Sequence, residues 1–190
     1  MTALHERATG RIIDVRPNAA DAIEDNPKMA TEPHWIWGLT RLAMGWVFLW
    51  PFLDKTFGLG FATEAGEGWI DGGSPTFGFL TFGTSGPFAE FFQTFAGATW
   101  ANWLFMIGLF GVGAALLAGT GVRIAAAAGS ALLILMWLAA LPPTNNPFLD
   151  DHLVYALVLA GLAAVNAGDI FGLGRRWSRL ELVKRFPILR

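Results

Sequence analysis

The sequence contains no cysteine. That removes disulfides, thiolate metal sites, iron–sulfur clusters and thiol or persulfide chemistry from this chain. Any sulfur or electron chemistry therefore belongs to a bound molecule or to another subunit. Charge is scarce too: 15% of the 190 residues are charged, against roughly 25% in soluble domains. A net charge of -2, without Lys and Arg clustered on a soluble face, excludes nucleic acid as a partner. Histidine is nearly as rare. His34 and His152 fall at opposite ends of the predicted bundle and Met44, Met106 and Met136 are scattered, so neither a haem nor another metal site is expected. The first 34 residues lack the apolar core of a signal peptide and are expected to remain attached as a polar cytoplasmic tail.

What the chain does have is apolar residues, 54% of the total, with a mean hydropathy of +0.46. This predicts an all-α membrane protein, a four-transmembrane-helix bundle with an extracytoplasmic Gly/Phe-rich cap containing a short amphipathic helix. Spans are expected at about residues 35–53, 100–118, 124–141 and 152–170, each near the ~20 residues that cross the hydrocarbon. Trp35, Trp37 and Trp50 fit interfacial aromatic belts at the two ends of the first span. Gly119 to Arg123 leave room only for a turn, so the second and third spans should form an antiparallel hairpin.

Residues 57–99 are interrupted by Gly72-Gly73-Ser74-Pro75 and Gly86-Pro87, which no long helix survives. Phe88, Phe91, Phe92 and Phe95 recur at i, i+3, i+4 and i+7, as in an amphipathic helix. A stretch so long and aromatic is expected to be a packed cap. Small residues at fourfold spacing (Gly111, Ala115, Gly119; Ala125, Gly129; Ala160, Ala164, Gly168) are read as packing stripes.

The connectors assigned to one side, residues 54–99 and 142–151, contain only Lys55. The other side holds Arg16, Lys28, Arg123, Arg175, Arg176, Arg179, Lys184, Arg185 and Arg190. By the positive-inside rule both termini are cytoplasmic and the cap is outside. The basic, amphipathic segment 174–190 is expected to lie on anionic headgroups of the bilayer or to dock a partner.

Two polar constellations follow. Arg41 lies inside the first span, where a charge needs a partner or a water-filled cavity. Counting from the outer ends, Arg41 is ~21 Å from Lys55 and Asp169 is ~27 Å from Asp151. Arg41 is thus expected to pair with Asp169, to bond backbone carbonyls, or to contact a ligand such as a quinone. At the outer end, Asp54 and Lys55 close the first span and Asn145, Asn146, Asp150, Asp151 and His152 open the fourth, with Trp69 and Asp71 in the cap. His152 can exchange a proton if an aspartate holds its other nitrogen. A quinone head, which needs a donor for each carbonyl and an apolar slot, suits this cluster. Helix capping by Asp150 or Asp151 is the alternative. The candidate catalytic residues are Lys55, His152 and Asp151; the candidate cofactor-binding residues are Asp54, Trp69, Asn146 and Arg41.

The first span from Arg41 through Gly45 to Asp54-Lys55, the segment WIDGGSPTFGFLTFGTSGPFAEFF, the series Gly111, Gly113, Leu116, Leu117, Gly119, Arg123, and NPFLDDHLVYALVL together resemble the DoxX/DoxD family of small four-helix membrane proteins. The likeness covers roughly residues 35–175. It implies membership of a membrane redox system, as in the thiosulfate:quinone oxidoreductase associated with the DoxD branch, with Arg41 and Lys55 as the matching site candidates. The expected function is a subunit that binds quinone or a small sulfur anion near its outer face. The alternative is a non-catalytic accessory subunit of a larger respiratory complex. Transport would need an oligomer, because four helices carry no evident inverted repeat. The expected location is a bacterial-type cytoplasmic membrane, with other membrane subunits or further copies of the chain as partners.

Overall fold

A computed structural model describes residues 34–190; the tail and its Arg16 and Lys28 lie outside the described residues. All regular secondary structure among the described residues is helical, with no strand. Its α-helices are α1 (His34–Phe57), α2 (Ala89–Gln93), α3 (Thr99–Ala118), α4 (Val122–Ala139), α5 (Asp151–Ala164), α6 (Gly174–Trp177) and α7 (Glu181–Arg185). Three of them, α1, α3 and α4, are long and apolar enough to cross a membrane.

Local chemistry sets the helix ends. α1 stops at Gly58, whose φ of 61° and N–H bond to the Asp54 carbonyl at 2.8 Å form a left-handed C-cap. α3 stops the same way at Gly119, with φ 73°. Gly119 to Gly121 then complete the tight turn into α4, as the short spacing predicts. α5 begins at Asp150, whose side chain accepts the Leu153 N–H at 3.3 Å. It ends at Ala164 instead of continuing towards residue 170. Asn166 takes φ 50°, a left-handed conformation that asparagine tolerates and a helix does not, and a 3-10 turn Ala167–Asp169 follows. With 14 residues, α5 covers ~21 Å by itself.

α1 packs along α3, α4 along α5, and α3 against α4. Met44 and Phe48 of α1, Met106, Val112 and Leu116 of α3, Leu133 of α4, and Leu159 and Leu162 of α5 are buried together. Close approach depends on a few glycines. A Cβ on Gly113 would lie 2.8 Å from the Leu49 backbone nitrogen, and one on Gly129 would lie 2.9 Å from Leu159. Gly111, read as part of a packing stripe, has nothing within 4 Å of a Cβ built there. The outward faces are apolar: Trp46, Ile107, Leu135 and Leu157 are exposed on the four long helices. Apolar surface of that extent suits lipid contact.

Between α1 and α3 the chain forms an ordered cap of short turns, including a π-helical turn Phe79–Gly83 and a 3-10 turn Gly86–Phe88 that leads into α2. α2 is only five residues long, shorter than its phenylalanine pattern. The cap is tied to α3 and α4 by side-chain and backbone bonds. Asn102 Oδ1 accepts the Thr76 N–H at 3.1 Å and the Thr76 and Ser74 hydroxyls at 2.6 and 3.1 Å. The Ser85 N–H donates to the Ala139 carbonyl at 2.9 Å. At the opposite end, the C-terminal segment folds back on the α3–α4 turn, where the Arg123 N–H donates to the Arg190 carbonyl at 2.9 Å.

Candidate functional site

At the end of the bundle where α1 closes and α5 opens, a cavity of about 220 Å³ lies between α1, α3, α4 and α5. Most of its wall is apolar: Val47, Phe48, Pro51, Phe105, Leu109, Leu132, Leu133 and Met136. Its polar lining is Lys55, Asp151, His152 and Tyr155. Three of these, Lys55, His152 and Asp151, are the catalytic candidates taken from the sequence. Tyr155, the only tyrosine of the chain, was not among them. It sits three residues after His152 and four after Asp151, so it shares their helix face, and that spacing was legible.

His152 Nδ1 lies 2.7 Å from Asp150 Oδ2 and 3.5 Å from Asp151 Oδ1. The predicted aspartate is therefore present, but the closer contact is Asp150. Asp150 does two things at once, since its other oxygen caps α5. With Nδ1 held, Nε2 is the ring nitrogen free to give or take a proton.

Lys55 also borders a second hollow of about 240 Å³ under the cap, lined by Thr63, Glu64, Glu67 and Ser74. It is the one residue common to the polar hollow and the largely apolar cavity.

The remaining candidates sit elsewhere. Asp54 is buried and accepts the Phe61 and Ala62 N–H groups at 3.3 and 3.0 Å, so it anchors the loop after α1. Trp69 stacks edge-on against Trp103, with centroids 4.7 Å apart, and is not in the cavity wall. Asn146 accepts the Phe148 and Leu149 N–H groups, both at 2.9 Å, shaping the loop before α5. The side chains of Asp54 and Asn146 are thus used in turns.

Arg41 is at the far end of α1 and fully buried. Its guanidinium donates to five backbone carbonyls: Nε to Ala167 at 3.1 Å, Nη1 to Leu116 and, at 3.1 Å, Leu117, and Nη2 to Ile170 and Phe171 at 3.0 and 3.1 Å. That matches the five N–H donors of arginine, leaving none for a ligand. The expected Asp169 pair is not formed; Asp169 instead bonds Arg190 at 2.7 Å. Leu116 and Leu117 lie in the last turn of α3, whose carbonyls form the negative end of its dipole; besides Arg41, the Leu116 carbonyl accepts the N–H of the capping Gly119 at 3.2 Å. A cation there is balanced by backbone dipoles without a carboxylate.

Comparisons with protein-family models, with curated proteins and with solved structures find no match to this chain.

Proposed function

We propose that the cavity beside Lys55 and His152 binds the head group of a quinone, and that the chain is a DoxX-like subunit of a membrane redox system. The observation carrying this reading is the lining itself: an apolar slot whose polar groups are confined to Lys55, Asp151, His152 and Tyr155. A quinone head is a flat apolar ring with two carbonyls. It is held by apolar walls and a few convergent donors, here the Lys55 ammonium, the Tyr155 hydroxyl and His152. The small sulfur anion is the less favoured ligand, because the polar hollow that could admit it on the other side of Lys55 carries Glu64 and Glu67. Electrons leaving a bound quinol need another carrier, since the chain has no cysteine for an iron–sulfur cluster. The protein therefore works as one subunit of an assembly.

The topology that accompanies this function is four spans with both termini cytoplasmic and the cap outside, in a bacterial-type cytoplasmic membrane. α5 is short, but it exposes Val154 and Leu157 as the longer helices expose their own apolar residues. The Arg41 end carries Arg123, Arg175, Arg176, Arg179, Lys184, Arg185 and Arg190, whereas the cap end has Lys55 alone, a bias that supports this orientation.

Equilibrium titration of the purified protein with short-chain ubiquinone and menaquinone analogues tests the reading. Saturable binding of either that weakens in Lys55→Met and His152→Ala is expected. Absence of saturable binding by both analogues overturns it.

A further inference from the structure

A third cavity, of about 130 Å³, lies under the cap between α3 and α4. No charged side chain lines it, and its walls include Phe79, Leu80, Phe92 and Phe95 from the cap. Phe105, Leu132 and Met136 belong to the walls of both this cavity and the polar-rimmed one, so the two are neighbours separated by these side chains. Met136 makes part of that partition yielding, because an unbranched thioether chain repacks readily. Leu104 and Leu135 line the cavity and are also exposed on the outer faces of α3 and α4. The cavity therefore reaches the apolar surface of the bundle.

We infer that this cavity is the subsite for the first part of a prenyl tail, attached to the quinone head in the adjoining cavity and leaving the bundle between Leu104 and Leu135. The inference rests on the quinone reading and narrows it to a lipid-borne, prenylated quinone. A tail leaving the head cavity on this side meets aromatic and aliphatic walls, and past Leu104 and Leu135 it can continue into the bilayer. The ordered aromatic cap gains a purpose: it roofs the tail. The Asn102 and Ala139 bonds that tie the cap down hold this roof on α3 and α4.

Two prenyl-quinone photoprobes, applied to the full-length protein in lipid nanodiscs, test this. One carries a diazirine on the ring and the other on the first isoprenoid unit. The ring probe should label residues around Lys55 and Tyr155, and the tail probe Leu80, Phe92 or Leu104. Leu135→Trp, at a half-exposed position where the larger ring is accommodated from the lipid side, should lose the tail labelling of the cap while keeping the ring labelling. Ring labelling in the head cavity with tail labelling spread over outer residues such as Trp46 and Leu157 overturns the tail subsite alone. So does unchanged tail labelling in Leu135→Trp, or labelling of Leu80 and Phe92 by a phospholipid acyl-chain probe that the prenyl quinone does not displace. Absence of ring labelling near Lys55 and Tyr155 overturns the quinone reading and the subsite with it.

Discussion

Asp150 holds His152 through one carboxylate oxygen, at 2.7 Å, and caps α5 through the other. Capping and the holding of His152, which compete as readings of the motif NPFLDDH, are here performed by the same side chain. A helix-starting residue that also holds an imidazole at a cavity wall couples the fold of α5 to the orientation of that ring.

The two roles are separable. Asp150→Ser keeps a good N-cap but gives up the carboxylate at Nδ1. It should unfold near the wild-type temperature while binding quinone more weakly. Asp150→Ala loses both roles and should cost in addition about 1 kcal/mol of stability. Thermal unfolding in detergent together with quinone titration distinguishes the variants; wild-type binding by Asp150→Ser would remove the orienting role.

Arg41 is a structural cation, and its partners are carbonyls. Arg41→Lys supplies three donors in place of five and leaves buried carbonyls unmatched, at a cost of about 2 kcal/mol or more. Asp169→Asn only breaks a partly exposed pair with Arg190 and should cost at most ~1 kcal/mol. Thermal unfolding of the two variants tests the assignment, and equal destabilisation would argue for the Arg41–Asp169 brace that the sequence suggests.

Gly119 and Gly111 belong to one sequence stripe but have different surroundings. A Cβ on Gly119 would meet the Gly168 carbonyl at 2.8 Å at a residue with φ of 73°, so Gly119→Ala should destabilise by at least ~1–2 kcal/mol. Gly111→Ala meets nothing within 4 Å and removes a flexible residue from a helix, so it should be neutral or stabilising by up to ~1 kcal/mol. Comparison of the melting temperatures of the two variants checks this; a loss in Gly111→Ala would mean that another helix covers that face.

Lys55→Met keeps the length and apolar stem of the side chain while removing its ammonium. Folding should be spared, and quinone affinity should fall roughly tenfold, the worth of a hydrogen bond from a charged donor. A fall in melting temperature comparable to that of Arg41→Lys would show that Lys55 is also a brace.

Much of the architecture was legible in composition and turn chemistry. The first three long helices follow from long apolar runs, and the turn between the second and third from Gly119 to Arg123; the first runs past the expected residue 53 to Phe57. The early end of α5 was not, because ALVLAGLAAVNAG stays apolar past Ala164; the one available sign was Asn166, which accepts a left-handed backbone. Arg41 was recognised as a buried cation, but its carbonyl partners were only one of the options. Nothing in a sequence reports that the C-terminus of one helix and the turn after another converge on one guanidinium. Lys55, Asp151 and His152, singled out because charge is rare in this chain, line one cavity, whereas Tyr155 of the same wall was overlooked among apolar neighbours. Asp54 and Asn146 passed as candidates by residue type, and only their backbone N–H partners reveal them as loop anchors.

A quinone head proposed to sit between α1 and α5 should be visible in a crystal structure of the protein grown with saturating short-chain quinone. Ring density is expected in the cavity bounded by Phe48, Phe105 and Leu133, with its oxygens within hydrogen-bond distance of at least two of Lys55, His152 and Tyr155. An empty cavity at saturating quinone, or a ring bound only elsewhere on the bundle, would contradict it.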